Sequence, residues 1–407
     1  MGAMNRRRWI SLVVLAAFFG LAFVAWRTAR PTVTAAALIL DLTGQQPAVR
    51  GWLPVHADVV TTRDLDVPAR HGAVRARLFS PASPRGTTLA IFPGVHGGGV
   101  DEPRMNALAR QFAANGLRVL IAPLPELRQY TIRPRSTDDV EDVSLWLASQ
   151  KDLAPSGRIG LVGVSFSGGL ALVAAGRPSL AGKLELVAAM GSHGDLPRAM
   201  KYLCTGELPD GTTQPPHDYG SVIILLAGLH HFVPPEQVEP LRHAIVTFLD
   251  ASSLDVTDPA KSALLFQEAA QLGSDLPEPA HEVMGWVNHR DVKTLGPKLL
   301  PFLEELGGAA ELSPERSPAT TAPVFLLHGS HDNVIPYTET PLVASYLTAR
   351  GNTRVTSLLT PLISHANVQR PGGPGQQNAS SQASPPTGEV WRLIRFWASM
   401  LRVLSAA

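Results

Sequence analysis

The sequence predicts an α/β fold: a mostly parallel, eight-stranded sheet flanked by helices, with a helical lid inserted after the sixth strand. Three observations predict it. Short apolar runs alternate with helical stretches over 58–195 and again over 322–407, the pattern of strand–helix–strand units that builds a parallel sheet. The intervening 196–321 drops that alternation and breaks into helical pieces at prolines. Finally, Gly163-Val-Ser-Phe-Ser-Gly-Gly169 joins an apolar strand to a small-residue helix through a sharp turn.

The elements follow in order. Val59–Val67 and Ala73–Phe79 read as antiparallel opening strands, and a Pro-Ala-Ser-Pro-Arg-Gly turn leads to a third strand, Thr87–Phe92. Pro103–Asn115 reads as a helix stopped by Asn115-Gly116. Leu117–Ala122 is the fourth strand. Thr137-Asp-Asp-Val-Glu opens the next helix with acidic residues, which suit a helix N-terminus. Arg158–Val164 is the fifth strand, Gly168–Ala175 its helix, and Leu184–Met190 the sixth strand. In the lid, helical pieces are expected at Pro197–Leu203, Ser221–His230, Pro235–Asp250, Pro259–Leu272 and Leu295–Leu306. Ala322–Leu327 and Arg354–Leu359 complete the sheet. Gly372–Gly388 is Gly-, Pro-, Ser- and Gln-rich and reads as a mobile loop carrying a sequon, Asn378-Ala-Ser380. Glu389–Leu404 closes the chain as an amphipathic helix with Trp391, Ile394, Trp397 and Leu401 on one face.

Chemistry concentrates at strand ends. A serine in a G-x-S-x-small turn between strand and helix has its hydroxyl lifted clear of the sheet, and Ser165 occupies that position, with Ser167 where glycine is usual. A serine hydroxyl needs a base, and the base needs an orienting group. Asp332 follows the seventh strand in His328-Gly-Ser-His-Asp-Asn-Val-Ile-Pro336, and His365 follows the eighth in Pro361-Leu-Ile-Ser-His365. Open α/β sheets bind ligands at these carboxyl ends. His328 and His331 are rival histidines but lie in the acid's own loop, ahead of the last strand. Asp195, just past the sixth strand, is the alternative acid.

The motifs GVSFSGG around Ser165, HGSHDNVIP around Asp332 and SHANV around His365 resemble, in order and spacing, those of the α/β-hydrolase superfamily. The resemblance spans roughly 58–195 and 323–404. It implies a Ser165–His365–Asp332 triad and a lid over the site. It also implies an oxyanion hole, in which backbone N–H groups stabilise the charge that acyl transfer develops. One donor would be the Phe166 amide. The other would come from Pro93-Gly-Val-His-Gly-Gly-Gly99, where His96–Gly99 is similar to the HGGG element of lipases and esterases; Gly97 and Gly98 would then donate. In a second register Pro93-Gly94-Val95 takes that place and the Val95 amide donates.

Composition agrees with an enzyme core. The 407 residues can bury a large one, and the net charge of +1 with 17% charged residues leaves no nucleic-acid footprint. The single cysteine, Cys204, excludes an internal disulfide. No CxxC, HExxH, P-loop or dinucleotide fingerprint calls for a metal or cofactor. His217-Asp218-Tyr219 and His230-His231 are polar spots in the lid, read as capping and surface residues, with metal ligation or substrate contact as the alternative. At the N-terminus Arg6-Arg7-Arg8 precedes a charge-free run, Trp9–Trp26, long enough to approach the roughly 20 residues that span a bilayer. The reading is a cytoplasmic tail (1–8), a transmembrane signal anchor (9–26), a connector (27–57) with a short helix at Thr34–Leu42, a core (58–195 and 322–407) and a lid (196–321). The catalytic domain would then be extracytoplasmic, membrane-anchored or, alternatively, secreted after cleavage. The function expected is a serine hydrolase cleaving a small-molecule or lipid-like carboxylic ester through an acyl-enzyme. The same triad also suits an acyltransferase or a peptidase, and an inactive binding member of the fold is the reading from another class.

Overall fold

The structure is a computed structural model and describes residues 6–43, 47–55, 57–255, 257–365, 367–368 and 387–405. Eight strands form one sheet: β1 (Val60–Val67), β2 (Val74–Pro81), β3 (Leu89–Phe92), β4 (Val119–Ile121), β5 (Ile159–Val164), β6 (Leu184–Met190), β7 (Val324–Gly329) and β8 (Val355–Thr360). Their order is β1-β2-β4-β3-β5-β6-β7-β8. β2 pairs antiparallel with both β1 and β4, and every later pairing is parallel. The chain steps outward from β3 to β4 and then returns across β3 to β5. The strand order therefore reverses beside β5, the place where such sheets open a crevice.

Both faces of the sheet are covered, so its central strands read as continuous apolar runs. Alternate side chains still serve different cores. On β5, Ile159 and Leu161 join one cluster, and Val162 and Val164 the other. The first face carries α4 (Pro134–Ser149) and α5 (Phe166–Ala175) and continues into the helical insertion. The second carries α3 (Pro103–Ala114), α14 (Thr387–Ser405) and the end of α1 (Arg6–Thr43). All ten residues of α5 are buried, which accounts for its apolar, small-residue composition.

Three expectations need revision. The short helix expected at Thr34–Leu42 is the end of the 38-residue α1, so much of the expected connector, 27–57, is helix. Ala35 and Leu38 are buried with Phe396, Trp397 and Met400 of α14, because an apolar stripe on α1 faces that helix. A six-residue helix, α2 (Pro47–Trp52), follows, tied back by an Arg50–Asp41 pair at 2.9 Å. Second, α4 starts three residues earlier than expected, with Pro134 at its first turn, where a missing N–H costs nothing. Its acidic residues then pair sideways: Asp138 and Glu141 with Arg177, and Asp142 with Arg70. Third, the sequence reading passed over α13 (Glu339–Ala349), whose buried face begins with Glu339 and Thr340 and so hides its apolar period. Among the described residues no helix is long and apolar enough to cross a membrane. Of the segment expected to do so, 9–26, the side chains up to residue 23 lie outside the described residues. The sequon and loop positions 372–386 lie outside them too, and Gly388 already belongs to α14.

Between β6 and β7 the chain forms a helical insertion: α6 (Leu196–Thr205), α7 (Asp218–Ala227), α8 (Pro235–Leu254), α9 (Pro259–Ser274), α10 (Ala280–Asn288), α11 (Val292–Leu299) and α12 (Leu303–Gly307). Most of its large apolar side chains pack inward. Phe248 and Met284 are buried, Phe248 meets Phe266 edge-on at 5.3 Å, and Leu264 remains exposed. Cys204 is buried, and burial pushes its thiol up to about 12.

Leu38 provides the test of α1 as part of the body. Leu38→Ala is expected to cost about 2–5 kcal/mol in urea unfolding of the whole chain, the range for emptying a buried leucine site. A cost within about 0.5 kcal/mol, that of a surface change, would separate α1 from the core.

Candidate active site

One residue makes the turn from β5 to α5. Ser165 has φ 60° and ψ −135°, a conformation that costs a non-glycine residue about 1–3 kcal/mol and needs surrounding structure to hold it. Two features do so. The Ser165 amide donates to the Met190 carbonyl at 2.8 Å, fixing the turn to the end of β6. The Ser167 hydroxyl bonds the Phe92 carbonyl at the end of β3 and accepts the Val164 N–H at 2.9 Å. Serine in place of glycine at 167 is thus small and also a stitch between strands. Glycine is obligatory at 163, where a Cβ would lie 2.4 Å from the Ser167 carbonyl oxygen and 2.6 Å from Gly168 Cα.

The structure brings the three residues singled out by sequence together. Ser165 Oγ lies 2.9 Å from His365 Nε2, and His365 Nδ1 lies 2.8 and 3.0 Å from the two Asp332 oxygens. Asp332 is almost fully buried and accepts the Val334 and Ile335 amides at 2.9 and 3.0 Å. Burial by itself raises a carboxyl pKa. The His365 charge and hydrogen bonds from His328 and His365 outweigh it and hold Asp332 well below the usual carboxylate range.

The rivals are engaged elsewhere. His328 has no exposed surface; its Nδ1 meets Thr340 Oγ1 at 2.8 Å and its Nε2 meets the Ile335 carbonyl at 3.0 Å. It braces the acid's loop from behind. Asp195 caps α6 by accepting the Arg198 N–H at 3.0 Å and pairs with Arg316 at 2.5 Å.

The loop after β3 adopts the second of the two registers. Gly94 lies against the serine: a Cβ there would sit 2.7 Å from Ser165 Cβ and 3.2 Å from its Oγ. Pro93, Gly94 and Val95 line the same cavity as Ser165, Phe166 and His365. Gly97 and Gly98 do not line it, and their amides are engaged by residues of the core. The Gly98 N–H donates to His96 Nδ1 at 2.9 Å, and the Gly97 N–H faces the Tyr130 hydroxyl. That hydroxyl donates to Asp250 Oδ1 at 2.7 Å, across to α8. A Cβ on Gly97 would lie 2.6 Å from the same Asp250 oxygen. His96 also bonds the Ser253 backbone; burial, then the Arg104 charge, push it below the ordinary imidazole range, so its Nδ1 is free to accept at neutral pH. Gly97 and His96 are the points of this loop against which α8 docks. The Phe166 N–H belongs to the first turn of α5, whose amides have no partner within the helix.

The cavity holds about 120 Å³. Met105, Ile223 and Leu249 give it apolar walls, and Tyr219 reaches it from α7. Glu102 and Arg104, paired at 2.6 Å, form its charged rim. Sequence reasoning passed over Tyr130 and Asp250, and it read Tyr219 only as part of a polar capping spot. Tyr130 and Asp250 are 120 positions apart, and no local pattern joins them.

The chain therefore has the α/β-hydrolase fold. No protein-family profile and no curated protein matches it. Among solved structures it is similar to a Legionella pneumophila protein described as a hydrolase, at 10% identity over 91% of this chain and 93% of that one, with a TM-score of 0.52. Two more distant likenesses are an esterase of Pyrobaculum calidifontis (18% identity, 92% and 93% covered, TM-score 0.44) and a Pyrococcus horikoshii acylaminoacyl peptidase (12%, 86% and 42%, TM-score 0.45).

Gly163→Ala is expected to lower stability by about 1–3 kcal/mol, the cost of overpacking, because backbone has to yield on both sides of the added methyl. Thermal or urea unfolding reads the change, and an unaltered midpoint would mean that strand and helix are not held at this distance.

Proposed function

We propose that this protein is a serine hydrolase that cleaves a small carboxylic ester through an acyl-enzyme. The observation that carries the reading is the hydrogen-bonded chain Ser165 Oγ–His365 Nε2, His365 Nδ1–Asp332, set beside a cavity at the reversal of the strand order. In this reading His365 takes the Ser165 proton as Oγ attacks the ester carbonyl. Asp332 holds the imidazole in the required tautomer and offsets its charge. The Phe166 amide and an amide of the Gly94–Val95 segment receive the oxyanion. His365 then returns its proton to the leaving alcohol, and it activates the water that releases the acid.

The cavity favours a short acyl group. Pockets for drug-sized ligands enclose about 300–1,000 Å³, whereas this one holds about 120 Å³. The lipid-like substrate expected from the sequence would need the insertion to move as a lid. His96–Ser253 and Tyr130–Asp250, which tie α8 to the loops after β3 and β4, are the contacts such a movement would break. The apolar run 9–26 supports membrane anchoring with this domain outside the cytoplasm. Fractionation of tagged protein, with and without protease on intact cells, tests that placement.

Two measurements test the chemistry. Ser165→Ala is expected to lower turnover of p-nitrophenyl acetate by about 10⁵-fold or more with an unchanged melting temperature, and to abolish fluorophosphonate labelling. Undiminished turnover would sink the reading. Asp332→Asn is expected to lower kcat by about 10³–10⁴-fold. Because the folded pKa of Asp332 is depressed, its stabilising effect is present above the ordinary carboxylate range and is lost only as pH falls below it. Asp332 should therefore not set the acid limb of the wild-type kcat/KM profile, and a limb at ordinary carboxylate pH that Asp332→Asn removes would overturn this reading.

A further inference from the structure

Within the insertion, His230 and His231 end a short turn between α7 and α8, and Glu305 stands on α12. His230 Nε2 lies 3.4 Å and His231 Nε2 3.0 Å from the same carboxylate oxygen, Glu305 Oε1. One donor atom from each residue falls within 4.8 Å of the other two. The two separations from Glu305 Oε1 are those that a tetrahedral zinc site sets. Bonds of about 2.0–2.1 Å at a tetrahedral angle put neighbouring donors about 3.3 Å apart. We propose that His230, His231 and Glu305 form a transition-metal site, with Zn²⁺ as the natural occupant, which fastens α12 to the α7–α8 corner of the insertion.

The surroundings prepare the donors. The His231 ring lies flat on Phe302, with centroids 3.9 Å apart and planes 10° from parallel. That stacking fixes the ring plane and aims Nε2 at Glu305. Phe302 is itself met edge-on by Phe232 at 6.0 Å. The His231 N–H is held by the Gly228 carbonyl at 3.0 Å, so the backbone beneath the pair is set as well. His230 and Glu305 are each more than half exposed, which leaves the outer side open to solvent. Water would take the fourth position, as it does where three protein ligands hold zinc. Two imidazoles and one carboxylate select zinc, nickel or copper over magnesium or calcium, which prefer all-oxygen sets. Among the described residues no other group of three such side chains meets this spacing. None of its three residues lines the Ser165 cavity, so the site does not depend on the reaction proposed above.

The test uses the full chain stripped with a chelator and titrated with Zn²⁺ alone, in wild type, His231→Ala, Glu305→Ala and a control, His289→Ala. Wild type and control are expected to bind one equivalent that both site variants lose or bind more than about tenfold more weakly, since even outer-shell changes cost 10–100-fold. Co²⁺ should give the intense visible bands of four-coordinate geometry in wild type and control but not in the site variants. Zinc should raise the melting temperature of wild type and of the control, but not of the site variants. His230→Ala, at the most exposed of the three positions, repeats the comparison if the other variants fold poorly. Equal stoichiometry and affinity in all variants, or no zinc bound by wild type, overturns the proposal.

Discussion

The separation between β5 and α5 controls the rest of the site. Gly163 has no side chain, and the space a Cβ would fill is taken by the Ser167 carbonyl and Gly168. The helix can therefore start one residue after the strand ends, and Ser165 is left to make the turn in a conformation that a serine rarely adopts. Such strain persists only where neighbours over-determine it. Here β5 is a central strand with β3 on one side and β6 on the other. The Ser165 amide is bound to β6 and the Ser167 hydroxyl to β3. The sheet supplies the rigidity, and the turn converts it into an exposed direction for one hydroxyl.

A second constraint acts at the acid. A buried carboxylate is expensive unless its oxygens are satisfied. Asp332 meets this with two backbone amides and with imidazoles on two sides, His365 toward the serine and His328 from within the core. The same economy recurs one strand away. Glu339, fully buried at the start of α13, accepts the Gly194 amide at 2.7 Å and pairs with Arg198 at 2.7 Å. It joins the loop after β6, the first helix of the insertion and the helix after β7. Gln214 and His217 of the insertion reach the backbone of Asp332 and Asn333 at 2.9 and 2.7 Å. The acid's loop is thus gripped by the core and by the insertion at once.

Much of this was legible in the sequence, for identifiable reasons. The sheet was readable because its strands are short, apolar and separated by turn residues; β6 matches the expected Leu184–Met190 end to end. Ser165, Asp332 and His365 were readable because each follows a strand directly, so chain position fixes place in space. What escaped was determined across long separations. The stripe on α1 that packs against α14 looks like a linker until its partner, more than 350 residues later, is in view. Helix α13 escaped because buried charge sits where a period search expects an apolar side chain. Helix α10 (Ala280–Asn288) escaped in a region without strand signals to frame it.

The glycine run after β3 shows most clearly where motif reading stops. Gly97 and Gly98 have the composition of an anion-binding loop, and nothing local contradicts it. Their amides are instead consumed by His96 and Tyr130, because α8 approaches the loop closely enough for Asp250 to reach Tyr130. That approach needs the same missing side chains an oxyanion loop needs, so the two uses share one sequence signature. Only the position of α8 distinguishes them. Once α8 is docked, the first two residues after β3 and its proline, Gly94 and Val95, are the ones left facing Ser165. The insertion closes the cavity and also decides which backbone the serine sees, so the loop's geometry and the insertion's position form one structural variable.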